Sequence, residues 1–422
     1  MNKQDLTLLT DLYELTMMQG YYKKGQHETV VFDVFYRHNP CGNGYSVCAG
    51  LDQVIDYIKN LNFTYEDVDY LRSLHIFDDD FLQYLSGFHF TGDIYAIPEG
   101  SVVFPKEPLL KVIAPIMEAQ LVETTILNLI NHQSLIATKT SRVVYAADGD
   151  GIMEFGLRRA QGPDAGLYGA RAAIIGGCVG TSNVLAGQLF DVPVMGTHAH
   201  SWIMTFPDEY TAFKYYAELY PDNCTLLVDT YDTLKSGVPN AIRVFQEFKD
   251  AGKPLKKYGI RLDSGDLAYL SKKARKMLDE AGFPDASICA SNDLDEYLLH
   301  DLKAQGAAIN SWGVGTHLIT SKDCPSFGGV YKLSAIKNEN GEFIPKIKIS
   351  ENPAKITNPG NKTIYRIYGK EDGKIRGDLI CLVGEEYNEA DDLTIFDPQA
   401  TWKKSTLAGG TYTLRELLVP IF

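Results

Sequence analysis

The stretch YGIRLDSGDLAYLSKKARKMLDEAG, residues 258–282, carries the pattern that decides the fold. It opens with a short apolar run, Tyr258–Ser264, which ends in polar and glycine residues. It then continues into Asp266–Ala281, where apolar residues recur at helical spacing. The same unit repeats on both sides. The apolar runs are Ile152–Gly156, Gly177–Ser182, Val192–Thr197, Thr225–Thr230, Ser287–Asn292 and Ile309–Gly315. Helical segments between them include Asp208–Leu219, Gly237–Ala251 and Asp293–Gln305. Strand–helix alternation predicts a parallel sheet. Seven strands with no G-x-G-x-x-G after the first fit an irregular (β/α) barrel better than a dinucleotide fold. Barrel chemistry sits at the C-terminal ends of the strands. The endings Arg158, Thr181-Ser182, Thr197, Asp229-Thr230, Asp263-Ser264, Ser291-Asn292 and Gly315-Thr316 therefore mark the candidate site.

Outside residues 150–325 the rhythm differs. Leu6–Tyr21 predicts a helix capped by Thr7 or Thr10, and Thr29–Tyr36 (TVVFDVFY) a strand. Short strands are expected at Ile94–Ile97, Val102–Phe104 and Leu109–Ile113, followed by a long helix over Glu118–Ala137. Residues 1–149 thus read as an α+β domain with an antiparallel sheet. Past residue 325, Asn340-Gly341 and Asp372-Gly373 sit between β-rich runs and predict hairpins. This segment, 326–422, is expected to pack on the N-terminal part as one discontinuous domain.

Composition narrows the function. The 422 residues carry 40 basic and 54 acidic side chains, a formal charge of −14, and 45% are hydrophobic. So acidic a chain offers no footprint for nucleic acid or an anionic membrane, and any anionic ligand needs a local basic or backbone-amide site. No apolar run approaches the roughly 20 residues of a bilayer span. No signal peptide is visible at the start. The seven cysteines stand singly, without a CxxC pair, which predicts reduced thiols, a cytoplasmic location and no structural zinc.

Three constellations carry chemistry. In Gly196-Thr197-His198-Ala199-His200 the two histidines point to one face of an extended strand end. They are satisfied structural histidines, a metal pair, or a catalytic imidazole acting as base, nucleophile or phosphoryl acceptor. Arg261 and Asp263 alternate on one face of a strand, either as a structural pair or as a guanidinium fork for a carboxylate or phosphate beside an acceptor for sugar hydroxyls. Gly313-Val314-Gly315-Thr316 ends a strand as a tight turn or as backbone amides open to a phosphate. Phe155-Gly156-Leu157-Arg158-Arg159 adds a ring and two cations at another strand end. Together they suit a phosphorylated sugar with an aromatic or carboxylate co-substrate.

These residues resemble the nicotinate phosphoribosyltransferases. The resemblance rests on Thr10–Tyr13 (TDLY), Phe155–Asp164 (FGLRRAQGPD), Thr181–Gln188 (TSNVLAGQ), Gly196–Ser201 (GTHAHS), Leu227–Thr233 (LVDTYDT), Ile260–Asp266 (IRLDSGD) and Gly313–Thr316. It departs from the family pattern at Ala165, where glycine is common, and over Tyr168–Ala173. The resemblance implies ATP-assisted condensation of nicotinate with phosphoribosyl pyrophosphate, through a transient phosphohistidine at His200. It implies that Arg261 takes the nicotinate carboxylate, with Thr197 and Tyr13 as nicotinate contacts. Gly315 and Thr316 then hold the phosphoribosyl phosphate, and Phe155 and Arg158 provide the stacking ring and a nearby cation. Asp263 is expected at the ribose hydroxyls, with Ser291 beside it in the substrate site. Asp229 and Asp232 are magnesium or supporting groups, or strand-end caps. Magnesium and ATP are the implied cofactor and co-substrate, with no dedicated metal site in the chain and a homodimer sharing its active sites. The alternatives are nicotinamide phosphoribosyl transfer and a metal-dependent barrel hydrolase using the two histidines. Thr181-Ser182-Asn183, with no carboxylate for an amide nitrogen, favours the acid over the amide.

Overall fold

The computed structural model describes residues 5–352, 355–398 and 400–422. The chain folds as two compact units, Met1–Ser134 with Ser326–Phe422, and Leu135–Pro325. The change of unit falls inside the helix Glu123–Ala146, so no loop near residue 150 marks it.

In the first unit an antiparallel sheet is centred on Thr29–Tyr36, flanked by Gly329–Lys337 and Leu110–Pro115. Asp93–Ala96 and the C-terminal Val419–Pro420 extend it. The C-terminal segment thus completes a sheet begun by the N-terminal one. Asp33 interrupts the apolar run Thr29–Tyr36 and is buried, but Lys362 Nζ lies 2.7 Å from its carboxylate and compensates the charge. Asn340-Gly341 and Asp372-Gly373 lie in the predicted hairpins, joining Gly329–Lys337 to Phe343–Pro345 and Lys362–Gly369 to Ile375–Leu382. Two expectations need correction. The first helix is Leu12–Lys24, because Thr7 and Thr10 spend their hydroxyls on the Asn62 carbonyl and the Glu14 carboxylate, and Asp11 takes the N-cap position. The expected helix over Glu118–Ala137 is two helices, Ile116–Leu121 and Glu123–Ala146, parted at Val122.

In the second unit the alternation yields six parallel strands: β1 (Gly151–Glu154), β2 (Gly180–Thr181), β3 (Cys224–Leu227), β4 (Tyr258–Leu262), β5 (Ser287–Asn292) and β6 (Ser311–Val314). Their order is β2-β1-β6-β5-β4-β3. Sequence neighbours lie side by side and the first strand pairs with the last, which requires the sheet to curl. Between β2 and β3 the predicted strand Val192–Thr197 contributes a single parallel bridge, Thr181 to Val194. Pro193 has no N–H to give a ladder, so the ring of hydrogen bonds is interrupted there. The two faces of the sheet differ in kind. Ile152, Leu226, Ile260, Ile288 and Trp312 are almost wholly buried on one face. The other face carries Gly151, Thr225, Gly259, Ser287, Ser311 and Gly313 at alternating positions. Among the described residues no helix is long and apolar enough to cross a membrane, and Cys48, Cys178, Cys224, Cys289 and Cys381 are free thiols.

Candidate active site

Strand periodicity places Arg261. Ile260 and Leu262 are fully buried on the outer face of β4, so the residue between them projects inward. Its guanidinium donates from Nε to Ser291 Oγ at 2.7 Å, from one terminal nitrogen to Thr197 Oγ1 at 2.7 Å and from the other to Asp263 Oδ1 at 2.8 Å. The Ser291 hydroxyl also donates to Asp263 Oδ1 in a short bond. Three chain segments therefore meet on one cation that is only 14% exposed. A guanidinium has five N–H donors. Three are used, one on each nitrogen, leaving one on each terminal nitrogen for a ligand. This is the donor set a carboxylate engages through both oxygens.

Asp229, just past β3, forms the second focus. Its side chain is 2% exposed, and Oδ1 lies 3.2 Å from His200 Nε2. Oδ2 accepts from the Asp263 backbone N–H at 2.8 Å and from the Ser264 hydroxyl at 2.6 Å. Asp229 thus ties the loops after β3 and β4 to the helix His200–Met204. With a carboxylate accepting at Nε2, the imidazole carries its proton there and keeps the lone pair on Nδ1. His200 is 40% exposed, so that lone pair belongs to an accessible nucleophile. The contact of Asp229 with His200 was not among the roles expected for it. Asp232 lies elsewhere, capping the turn at Thr233–Gly237 by accepting from Lys235 N–H.

The two histidines of His198-Ala199-His200 do not form a pair. His198 is buried; its Nε2 accepts from the Leu227 N–H at 3.2 Å, and its ring packs edge-on to Tyr216 at 4.6 Å. Among the described residues no group of three or more His, Cys, Asp or Glu is placed to hold a metal ion. The metal-dependent hydrolase is corrected on this ground, since one histidine is a packed structural residue. Burial pushes the His198 imidazole down to about 4 from its ordinary 6.5. Between those values the unfolded chain binds a proton that the folded chain refuses, so stability falls as pH drops from about 6.5 towards 4 and levels off below. His198→Gln keeps an acceptor for Leu227 and cannot titrate. Urea unfolding at pH 7 and pH 4.5 should show the wild type losing a few kcal/mol more than the variant on acidification.

The remaining predicted residues fall as follows. Phe155 follows β1, its N–H bonded to the Val314 carbonyl at 2.8 Å. Its ring lies over Gly313, where a Cβ would come within 2.5 Å of a ring carbon. Gly313→Ala must displace the ring or strain the sheet, and a loss of about 1–3 kcal/mol in urea unfolding is expected. Gly315 and Thr316 open the short helix Thr316–Ile319 at the end of β6. Arg158 is exposed on the turn Leu157–Arg159. Tyr13 belongs to the first unit, 45% exposed at the start of Leu12–Lys24; burial, then the nearby Glu123 carboxylate, hold its hydroxyl above the usual phenol range.

Glu154 went unread in the sequence. It is fully buried at the end of β1, accepting from the Thr181 hydroxyl at 2.6 Å and, in a short bond, from the Gly156 N–H. Burial raises its carboxyl above the ordinary range. The stretch Thr181–Asn183 therefore has a carboxylate behind it, already engaged by Thr181. A charged residue inside an apolar strand was the available signal.

The chain is similar to known proteins over most of its length. Residues 8–131 match the family model described as the nicotinate phosphoribosyltransferase N-terminal domain, residues 151–370 the nicotinate phosphoribosyltransferase family, and residues 361–422 its C-terminal domain. A nicotinate phosphoribosyltransferase of Bacillus subtilis is 52% identical over 94% of this chain and 80% of its own length. The one from Homo sapiens is 34% identical over 93% and 82%. The solved structure of human nicotinic acid phosphoribosyltransferase superposes with a TM-score of 0.83 at 30% identity, covering 98% of this chain and 89% of that one.

Proposed function

The chain belongs to the nicotinate phosphoribosyltransferase family, and on that premise we propose that Arg261 binds the carboxylate of nicotinate for transfer of a phosphoribosyl group to its ring nitrogen. The reaction is the condensation of nicotinate with 5-phosphoribosyl 1-pyrophosphate. The ring-nitrogen lone pair forms a bond to the anomeric carbon while the carbon–oxygen bond to pyrophosphate breaks. The observation that carries this reading is the pair of unused N–H donors on a buried guanidinium fixed by Thr197, Ser291 and Asp263. Such a site favours the acid over nicotinamide, which offers one acceptor and no charge.

Phe155 is assigned to stacking on the pyridine, with Tyr13 and Arg158 as further substrate contacts, and Gly315 and Thr316 to the 5-phosphate. Asp263, whose hydrogen bonds to Arg261 and Ser291 both use Oδ1, is assigned to the ribose hydroxyls through Oδ2. Positioning the nucleophile in line with the leaving group is the main contribution asked of these residues.

His200 is assigned as the phosphoryl acceptor from ATP. Its Nδ1 lone pair attacks the terminal phosphorus, the bond to ADP breaks, and the proton on Nε2 stays hydrogen-bonded to Asp229. The phosphate adds close to two negative charges beside the developing sugar cation, which lowers the barrier. Magnesium neutralises pyrophosphate when bound. Among the described residues no group of three or more His, Cys, Asp or Glu is gathered, and an ion arriving with pyrophosphate would be held largely by phosphate oxygens. A homodimer working in the cytoplasm completes the reading.

The test is anion-exchange analysis of products from phosphoribosyl pyrophosphate, magnesium and nicotinate, with and without ATP. Nicotinate mononucleotide whose formation rises with ATP is the expected result. No product under either condition would remove the reading.

A further inference from the structure

Barrels of parallel strands are ordinarily filled by layers of branched apolar side chains. The inner face here is built differently. Gly151, Thr225, Ser287 and Ser311 occupy positions where valine, isoleucine or leucine would close the interior. The outer face, with Ile152, Leu226, Ile260 and Ile288 buried, shows that the strands do use large apolar residues where packing is wanted. The small inner residues leave a cavity of about 450 Å³, inside the range of pockets that hold small ligands.

The cavity spans two places of different character. At the N-terminal ends of the strands its lining includes Asn223, Lys256, Lys257 and Asn310. Lys257 is exposed, and Lys256 lies 2.9 Å from Asp222 at the surface. At its other limit the lining includes Thr197, whose hydroxyl accepts from Arg261, and Cys289, which faces Arg261 across the sheet register. His200, Asp229 and Ser264 lie at the opposite, C-terminal ends of the strands and take no part in this lining.

We infer that this lumen is a second port to the Arg261 site, through which a small aromatic carboxylate enters from the N-terminal ends of the strands. The inference rests on the reading of Arg261 as the carboxylate-binding residue. It separates the two substrates: a phosphoribosyl pyrophosphate held at the C-terminal ends blocks that entrance, while the acid reaches the guanidinium from beneath. In a chain of net charge −14 the mouth is locally balanced, Lys256 paired with Asp222 and Lys257 sharing the lining with Asp285, so an anion is not turned away there. Hydroxyl groups along the wall offer weak, exchangeable hydrogen bonds, which suit passage better than retention.

The decisive variant is Thr225→Phe, which puts a large ring into the cavity that Thr225 lines with Ser287 and Ser311. The expected result is a fall of about tenfold in kcat/KM for nicotinate, with KM for phosphoribosyl pyrophosphate within about twofold of wild type. A folded variant with unchanged kcat/KM for nicotinate overturns the port, as does an equal loss for both substrates. If Thr225→Phe does not fold, Lys257→Glu at the exposed mouth decides. It should lower kcat/KM for nicotinate about threefold at low salt, with the effect fading at high salt, and no change overturns the port. Failure of the underlying reading looks different, because the wild-type protein itself would then form no nicotinate mononucleotide.

Discussion

Replacing Arg261 by Lys should lower kcat/KM for nicotinate by about a hundredfold while leaving KM for phosphoribosyl pyrophosphate nearly unchanged. The charge survives, but the planar fork does not. An ammonium cannot hold Thr197, Ser291 and Asp263 together and still present two parallel donors to a carboxylate. Losing one charge-assisted hydrogen bond costs about 1.5–3 kcal/mol, which brackets the hundredfold expected. Arg261→Ala should cost more, about a thousandfold, because it also strips Asp263 of its cation. The loss should fall on nicotinate and spare nicotinamide, so the two substrates approach equality in the variant. Equal losses for acid and amide would mean that Arg261 supports the loops without reading the carboxylate.

The second large effect is at His200. His200→Ala should abolish stimulation by ATP and leave the ATP-independent reaction in place, since the alanine variant keeps Arg261 and its partners. Asp229→Asn is the more informative companion. The amide can still accept from Nε2–H, but it removes the charge that stabilises the imidazole as it takes a phosphoryl group. A fall of about a hundredfold or more in the rate of phosphohistidine formation is expected, read by rapid quench with γ-labelled ATP. Wild-type phosphorylation in Asp229→Asn would leave the 3.2 Å contact as a structural tie only.

The sequence reading succeeded where the chemistry of a strand is local. The runs Tyr258–Ser264 and Ser287–Asn292 stand out as short apolar stretches, and their outer residues Ile260, Leu262, Ile288 and Ala290 are fully buried. Asp263, Thr197 and Ser291 were each found as strand-end residues and Arg261 as sharing a strand face with Asp263, and the structure brings the three onto the Arg261 guanidinium. What sequence could not supply was partnership across loops. Asp229 read equally as a cap or a metal group, because its bonds to His200, Asp263 and Ser264 join residues far apart in the chain. His198 and His200 looked equivalent because alternation in an extended strand puts both on one face. The backbone instead turns into a helix at His200, sending one ring into the core and the other towards Asp229. The hollow inner face was visible as a string of glycine, serine and threonine, but only the register shows that they line one space.

The account stands or falls on the carboxylate. The most direct test is kcat/KM of the wild-type protein for nicotinate and for nicotinamide, with phosphoribosyl pyrophosphate, magnesium and ATP saturating. Two unused donors on a buried cation predict a preference for the acid of about a thousandfold or more. Equal use of the two, or a preference for the amide, would contradict the role given to Arg261.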